Sequence, residues 1–193
     1  MLVLLLAVIG GLIAGLLRSA WTHQRFIVPP LYHSELLIIA VLPQLLTVYL
    51  PMTHTVFTES MAAIALVSSQ TLLLFWGWWN RHHKALVLLT VGLLCNFVVI
   101  VSNGGFMPVS PTTLQRLLSP ERAATWQIGE RIGRTKDRLL LEAETNFAVL
   151  SDRFVLPRWF GYAIAYSFGD ILIAIGAFWF LWAAGADTHG SPA

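Results

Sequence analysis

Apolar residues run almost unbroken from 1 to 17, resume over about 35–50, 56–79 and 85–102, and return over about 159–184. Each stretch approaches or exceeds the roughly 18–20 residues that cross a bilayer core. The pattern predicts an all-α fold: an integral membrane bundle of about five transmembrane helices in a single membrane domain, 1–193. A signal peptide would place cations before the first stretch and a small-residue cleavage site after it. The stretch instead starts apolar and halts at Arg18, so it is expected to remain as the first span. Gly10, Gly11 and Gly15 lie along it, where small residues let membrane helices approach closely.

The interruptions are as informative as the runs. Pro43 falls inside the second span, removing a backbone donor and predicting a kink. The third span ends in "FWGWWNRHHK", tryptophans meeting cations as they do at a membrane interface. The fourth runs into "NGGFMPVS", residues 103–110. There Asn103 is expected to turn its amide onto free carbonyls, Gly104 or Gly105 to take the left-handed cap conformation, and Pro108 to prevent continuation.

One long polar segment, 104–158, separates the fourth and fifth spans. Within it "SPERAATWQIGERIGRTKDRLLLEAE" reads as a helix, with Ser119 as N-cap, Pro120 at the first helical position and Glu121 in the first turn. Ile128 and Ile132, four apart, would form its apolar stripe. The closing "GADTHGSPA" reads as a frayed tail.

Composition agrees with the pattern: 56% of residues are hydrophobic and 11% charged, against roughly 25% charged in soluble chains. The net charge of +2 comes from cations grouped in loops, not from a basic stripe interleaved with aromatics, so nucleic-acid binding is not expected. Four cations, Arg18, Arg25, Arg81 and Lys84, fall in the first and third connections, and the second, "PMTHTVFTE", has no Lys or Arg. The positive-inside rule then places the first and third connections in the cytoplasm. The N-terminus and the 104–158 segment would face outward and the C-terminus inward. The long segment carries eight of the twelve Lys and Arg residues and opposes that orientation, but charge in long loops counts for less.

Polar groups inside spans are costly and mark helix packing or function. Asn96 lies seven residues before Asn103, and Gln44 seven before Pro51. At about 1.5 Å per residue both would sit roughly 10 Å into the apolar layer. Asp170, eleven residues after Trp159, reaches nearly the same level if the interface falls near Tyr162. Asn96 or Gln44 could then donate to the Asp170 carboxyl. Gly169 and Gly176 would let a neighbouring helix come close to it, and Ala165 with Gly169 forms a small-xxx-small pair. The alternative is a protonated acid serving only as a helix-to-helix hydrogen bond. Asp152, in "VLSDRFVLP", either bonds into the span ends or pairs with Arg153 or Arg158 at the surface.

Other chemistry finds little support. His23, His33, His82 and His83 would share one side but occupy different connections, and no Cys or Glu completes a metal spacing. No two histidines share a level in facing spans, as bis-histidine haem would require. Cys95 stands alone within an apolar run and reads as a packed small hydrophobe. No nucleophile elbow, phosphate loop or HExxH occurs.

Taken together, "NGGFMPVS", "LSDRFVLP" and "SFGDILIAIG" resemble segments of a bacterial multi-pass membrane family of unknown function, over about 91–180. The resemblance singles out Asn103, Gly104, Gly105, Met107, Pro108, Asp152, Pro157, Ser167, Gly169 and Asp170. Ser151 departs from it, standing where glycine is usual, and a histidine upstream is missing. With Asn96 and Gln44 from the depth argument, these define a candidate polar site: Asp170, Asn96, Asn103, Gly104, Gly105, Asp152, Ser167, Gly169 and Gln44. No metal is assigned, and no cofactor follows from the sequence.

Two functions are expected from these features. One is a non-catalytic accessory subunit or assembly factor, docking on other membrane subunits of an electron-transport or photosynthetic complex through its eight tryptophans and apolar spans. The other is a small membrane enzyme or carrier for a lipid-like or ionic substrate, with Asp170 as proton carrier or anchor.

Overall fold

The computed structural model describes residues 2–49, 57–156 and 164–184. The connection 50–56, Pro157, Arg158, Trp159 and the tail lie outside the described residues, as does the proposed entry to the fifth span.

Among the described residues five apolar helices form the bundle: α1 (Leu2–Thr22), α2 (Glu35–Gln44), α3 (Glu59–Trp79), α4 (Lys84–Ser102) and, last of these, α7 (Phe168–Ala183). Of these, α1, α3 and α4 are long and apolar enough to cross a membrane; α2 and α7 are shorter. The kink expected at Pro43 takes a defined form. The α2 helix gives way to a π-helical turn at Leu45–Tyr49, and the Thr47 hydroxyl donates to the Pro43 carbonyl at 2.7 Å. A proline cannot supply its own i→i−4 bond, and a shift of helical register there is one way to absorb the loss.

The helices pack in the spatial order α1, α7, α4, α3, α2. On α1, Gly11 lies against Phe178 and Gly15 against Leu181, so α1 and α7 run parallel. Gly92 meets Gly169 while Gly176 meets Ala85, so α4 and α7 run antiparallel. The start of α1, the starts of α3 and α7, and the end of α4 therefore share one end of the bundle. At the other end, the Asn80 amide donates to the Trp76 and Tyr32 carbonyls and accepts the Tyr32 N–H, pinning the 23–34 connection to the end of α3.

The 103–156 segment folds as a cap over the first end, and here the expected long helix is corrected. Only α5 (Pro111–Leu117) and the single turn α6 (Pro120–Ala123) are α-helical. Gly129 and Gly133 take φ of +89° and +53°, a conformation no α-helix sustains. The Ile128–Ile132 spacing thus falls on turns rather than on one helical face. The chain instead builds two small strand pairs, so the fold is mostly helical rather than purely so. Strands β1 (Met107–Val109) and β2 (Asp137–Leu139) are parallel; β3 (Phe154–Val155) and β4 (Ala165–Tyr166) are antiparallel.

Met107 and Val109 are buried, and Met107 packs with Leu66, Val99 and Ile100, so the cap and bundle share apolar packing. Phe106, 1% exposed, lies under the guanidinium groups of Arg131 and Arg138. Arg138 in turn reaches Glu59 at the start of α3, at 2.6 Å.

Candidate functional site

The end of α4 fixes the cap's entry. Asn103 donates to the Val99 carbonyl at 2.8 Å, and Gly104 and Gly105 take φ of +74° and +85°. The Gly105 N–H then reaches back to the Ile100 carbonyl at 2.8 Å. This is a left-handed helix stop of the kind glycine permits. Asn103 also holds the cap itself: its amide donates to the Asn146 carbonyl and its oxygen accepts the Asn146 N–H, both at 2.9 Å.

Past that turn β1 lies between two neighbours. Residues Asp137–Leu139 pair along one edge, and Asp152 bridges Val109 on the other, with its N–H on the Pro108 carbonyl. Pro108 has no N–H to give, but its carbonyl serves this contact. The arrangement sets Lys136, just before β2, across from Asp152. The ammonium lies 2.5 Å from Asp152 Oδ2 and 3.2 Å from Asp137 Oδ1. Asp152 is only 1% exposed, and its second oxygen, Oδ1, is buried without a hydrogen-bond partner. Of the two expectations for Asp152, the surface pairing with Arg153 or Arg158 is therefore replaced by a buried pairing with Lys136.

Below the cap, Asn96 on α4 spans two residues at the start of α7. Its Nδ2 donates to Asp170 Oδ1 at 2.8 Å, and its Oδ1 accepts the Ser167 hydroxyl at 2.8 Å. Ser167 and Asp170 also form a capping box: Ser167 Oγ accepts the Asp170 N–H at 3.0 Å, and Asp170 Oδ2 accepts the Ser167 N–H at 3.1 Å. The α7 helix begins at Phe168, so Asp170 lies in its first turn and not deep within a span from 159. That corrects the depth argument. The carboxylate stands level with Asn96 because α7 itself starts about 9 Å below the end of α4, six residues at 1.5 Å each.

The close approach depends on two glycines. A Cβ on Gly169 would fall 2.1 Å from Asn96 Oδ1, and one on Gly92 would fall 2.5 Å from the Gly169 carbonyl. Gln44 does not join the group; it donates to Ser69 Oγ at 2.5 Å between α2 and α3, and Ser69 donates to the Ala40 carbonyl. The level of Gln44 in its helix was no guide to its direction.

Three carboxylates, Asp137, Asp152 and Asp170, thus act on one ammonium. Burial works to lower the Lys136 pKa, but the three acids outweigh it and hold the group well above its usual range. Burial pushes Asp152 up, Lys136 pulls it down, and Asp137 and Asp170 push it up again, to about 7.

Lys136 is not among the residues that the sequence pattern singles out. A cation in a polar loop carries no signal of burial, and its partner is sixteen residues away. Among the described residues, polar grooves border the cap, one of about 560 Å³ against Thr47, Glu59 and Glu130 and another of about 230 Å³ against Ser110, Arg116 and Arg153. Neither is lined by Asp152 or Asp170. Among the described residues no three of His, Cys, Asp and Glu converge as a metal-ligand set.

Residues 30–182 match the model of a family of unknown function, DUF5317. The match covers the cap, four of the five helices and every polar contact described above, and the chain belongs to that family. No curated protein and no solved structure matches the chain.

Proposed function

We propose that the chain is a multi-pass protein of a bacterial cytoplasmic membrane that serves as a non-catalytic accessory subunit or assembly factor for a larger membrane complex. The observation that carries this reading is where the polar groups are used. Asn96, Ser167 and Asp170 bond to one another, Asn103 to the cap, and Lys136 to Asp152. These bonds join α4 to the start of α7, the end of α4 to the cap, and the cap to itself, and they spend the side chains that a substrate would need. Meanwhile α1 and α2 present large apolar groups outward, including Ile13 at 52% and Ile38 at 68% exposure, surface that suits lipid and the helices of other subunits.

Orientation follows the short-loop cations. Arg18, Arg25, Arg81 and Lys84 belong to the end of the bundle opposite the cap, so the cap and N-terminus face outward and the C-terminus inward. Photo-crosslinking residues at positions 13 and 38, introduced in native membranes, test the reading. Recurrent adducts with one membrane polypeptide support it; adducts with lipid alone sink it.

One observation favours a second reading, a small enzyme or carrier for a lipid-like or ionic substrate. Asp152 Oδ1 is buried and unpartnered next to a cation and within the field of Asp170, as a proton-handling acid would be. On that reading Asp152→Asn and Asp170→Asn each abolish a proton-coupled activity while the folded cap persists. An unchanged phenotype and stability would remove it.

A further inference from the structure

Between α3 and α4, at the end of the bundle far from the cap, lies an open apolar groove of about 860 Å³. Leu74 and Trp78 form one wall, Val87, Val91 and Leu94 the other, and Arg81 and His82 close its end. We propose that this groove is a binding site for an anionic phospholipid, one acyl chain lying along α4 and the phosphate held by Arg81. The inference rests on the membrane reading above, but not on the accessory role.

The shape suits a chain. Val87, Val91 and Leu94 follow one face of α4 for seven residues, about 10 Å of helix, and all three are exposed. No lining residue is acidic. The chemistry of the closed end selects the headgroup. The Arg81 guanidinium lies 4.5 Å from the Trp78 ring, and its Nη1 donates to the Trp78 carbonyl at 3.0 Å. The cation is thus held on the groove wall with one of its five N–H donors used, and the remaining fork suits phosphate oxygens.

His82, His83 and Lys84 follow directly, and no Asp or Glu occurs in the chain between Glu59 and Glu121. A partner's apolar helix would fill the groove equally well but would leave Arg81 without an anion. Charge complementarity therefore favours the lipid.

Competition between phosphatidylglycerol and phosphatidylcholine in mixed nanodiscs, read by native mass spectrometry, tests the site. The wild-type protein is expected to retain phosphatidylglycerol preferentially. Arg81→Gln should cut that preference about fivefold, the equivalent of about 1 kcal/mol for one cation at an anionic surface. Val91→Trp fills the groove and should remove the retained lipid with every charge in place; Val91 is 44% exposed, so its substitution spares the packed interior. Arg18→Gln, at the same end but over the Trp182 ring, should change nothing.

Equal loss in Arg18→Gln and Arg81→Gln means diffuse surface charge and overturns the site. So does undiminished preference in Val91→Trp, or a crosslinker at position 91 that captures a polypeptide instead of lipid. A protein that enters nanodiscs without lipid preference overturns this inference alone. One that does not enter them overturns the membrane reading beneath it.

Discussion

Asn96 Nδ2 donates to Asp170 Oδ1 at 2.8 Å while Asn96 Oδ1 accepts the Ser167 hydroxyl at the same distance. One side-chain amide thus holds both partners of the α7 capping box from a neighbouring helix. Replacing it by Leu leaves a carboxylate oxygen and a hydroxyl enclosed without that partner, at a cost of about 1–3 kcal/mol. Asn96→Leu is expected to lower the thermal midpoint in detergent clearly. Asp170→Asn, which keeps an oxygen for the Ser167 N–H, should cost less than Asp170→Ala. Equal midpoints for the two Asp170 variants would show that the capping box contributes nothing.

Gly169 and Gly92 set the spacing that this amide needs. A methyl at Gly169 would collide with Asn96 Oδ1 at 2.1 Å, and one at Gly92 with the Gly169 backbone at 2.5 Å. Gly92→Ala meets main chain, which cannot swing aside, whereas Gly169→Ala displaces the Asn96 amide as well as meeting the Gly92 carbonyl. Each substitution should destabilise by at least the about 1–3 kcal/mol typical of overpacking. Combining Gly169→Ala with Asn96→Leu should cost less than the sum, because both remove the same contact. Additive losses in chemical denaturation would contradict that coupling.

The sequence made this part of the site visible and concealed the rest for identifiable reasons. Asn96 and Asp170 stand out because amides and acids are rare in apolar runs, and their pairing needed only two helices at a common level. The start of α7 was harder to place. Ser167 and Asp170, three apart, carry a helix-start signature, but the aromatic residues from Trp159 to Tyr166 continue the hydropathy and disguise it. The Lys136–Asp152 pair was out of reach, since it depends on a parallel strand pairing within a segment whose Ile128 and Ile132 suggested a helix. Gly129 and Gly133 were the local signs against that helix, each needing a positive φ that only a turn supplies.

Lys136 and Asp152 predict a pH dependence with a definite sign. Asp152 has its pKa raised to about 7 in the folded protein from an ordinary 3.8, so the folded state binds more protons than the unfolded state between those values. Its contribution to stability is fully present below about pH 4 and is lost as pH rises through about 7. Lys136, raised further, stays charged throughout that window. Thermal unfolding compared at about pH 5 and about pH 8 should show a decline that Asp152→Asn flattens. Lys136→Met should cost about 3–5 kcal/mol at the higher pH by leaving an uncompensated buried charge, and less at the lower pH, where Asp152 takes up a proton. A Lys136→Met/Asp152→Asn double variant more stable than Lys136→Met alone would complete the cycle; one less stable would show that the pair is not the source.

Asn80 and Asn103 use the same device at opposite ends of the bundle. Each ends a helix, donates its amide to the carbonyl four residues back and to a distant carbonyl, and accepts that distant residue's N–H. The distant partner is Tyr32 for Asn80 and Asn146 for Asn103. Each arrangement substitutes one side chain for the backbone pairing that a loop cannot make for itself. Asn80→Ala should therefore raise hydrogen exchange over 23–34 and leave the cap protected; Asn103→Ala should raise it over 142–150 and leave 23–34 protected. Loss of about 1–2 kcal/mol is expected in each case, from the freed carbonyl and N–H as well as the missing amide. The decisive comparison is spatial. If either variant loosens both ends equally, the two asparagines act through overall stability, and their role as separate local pins is wrong.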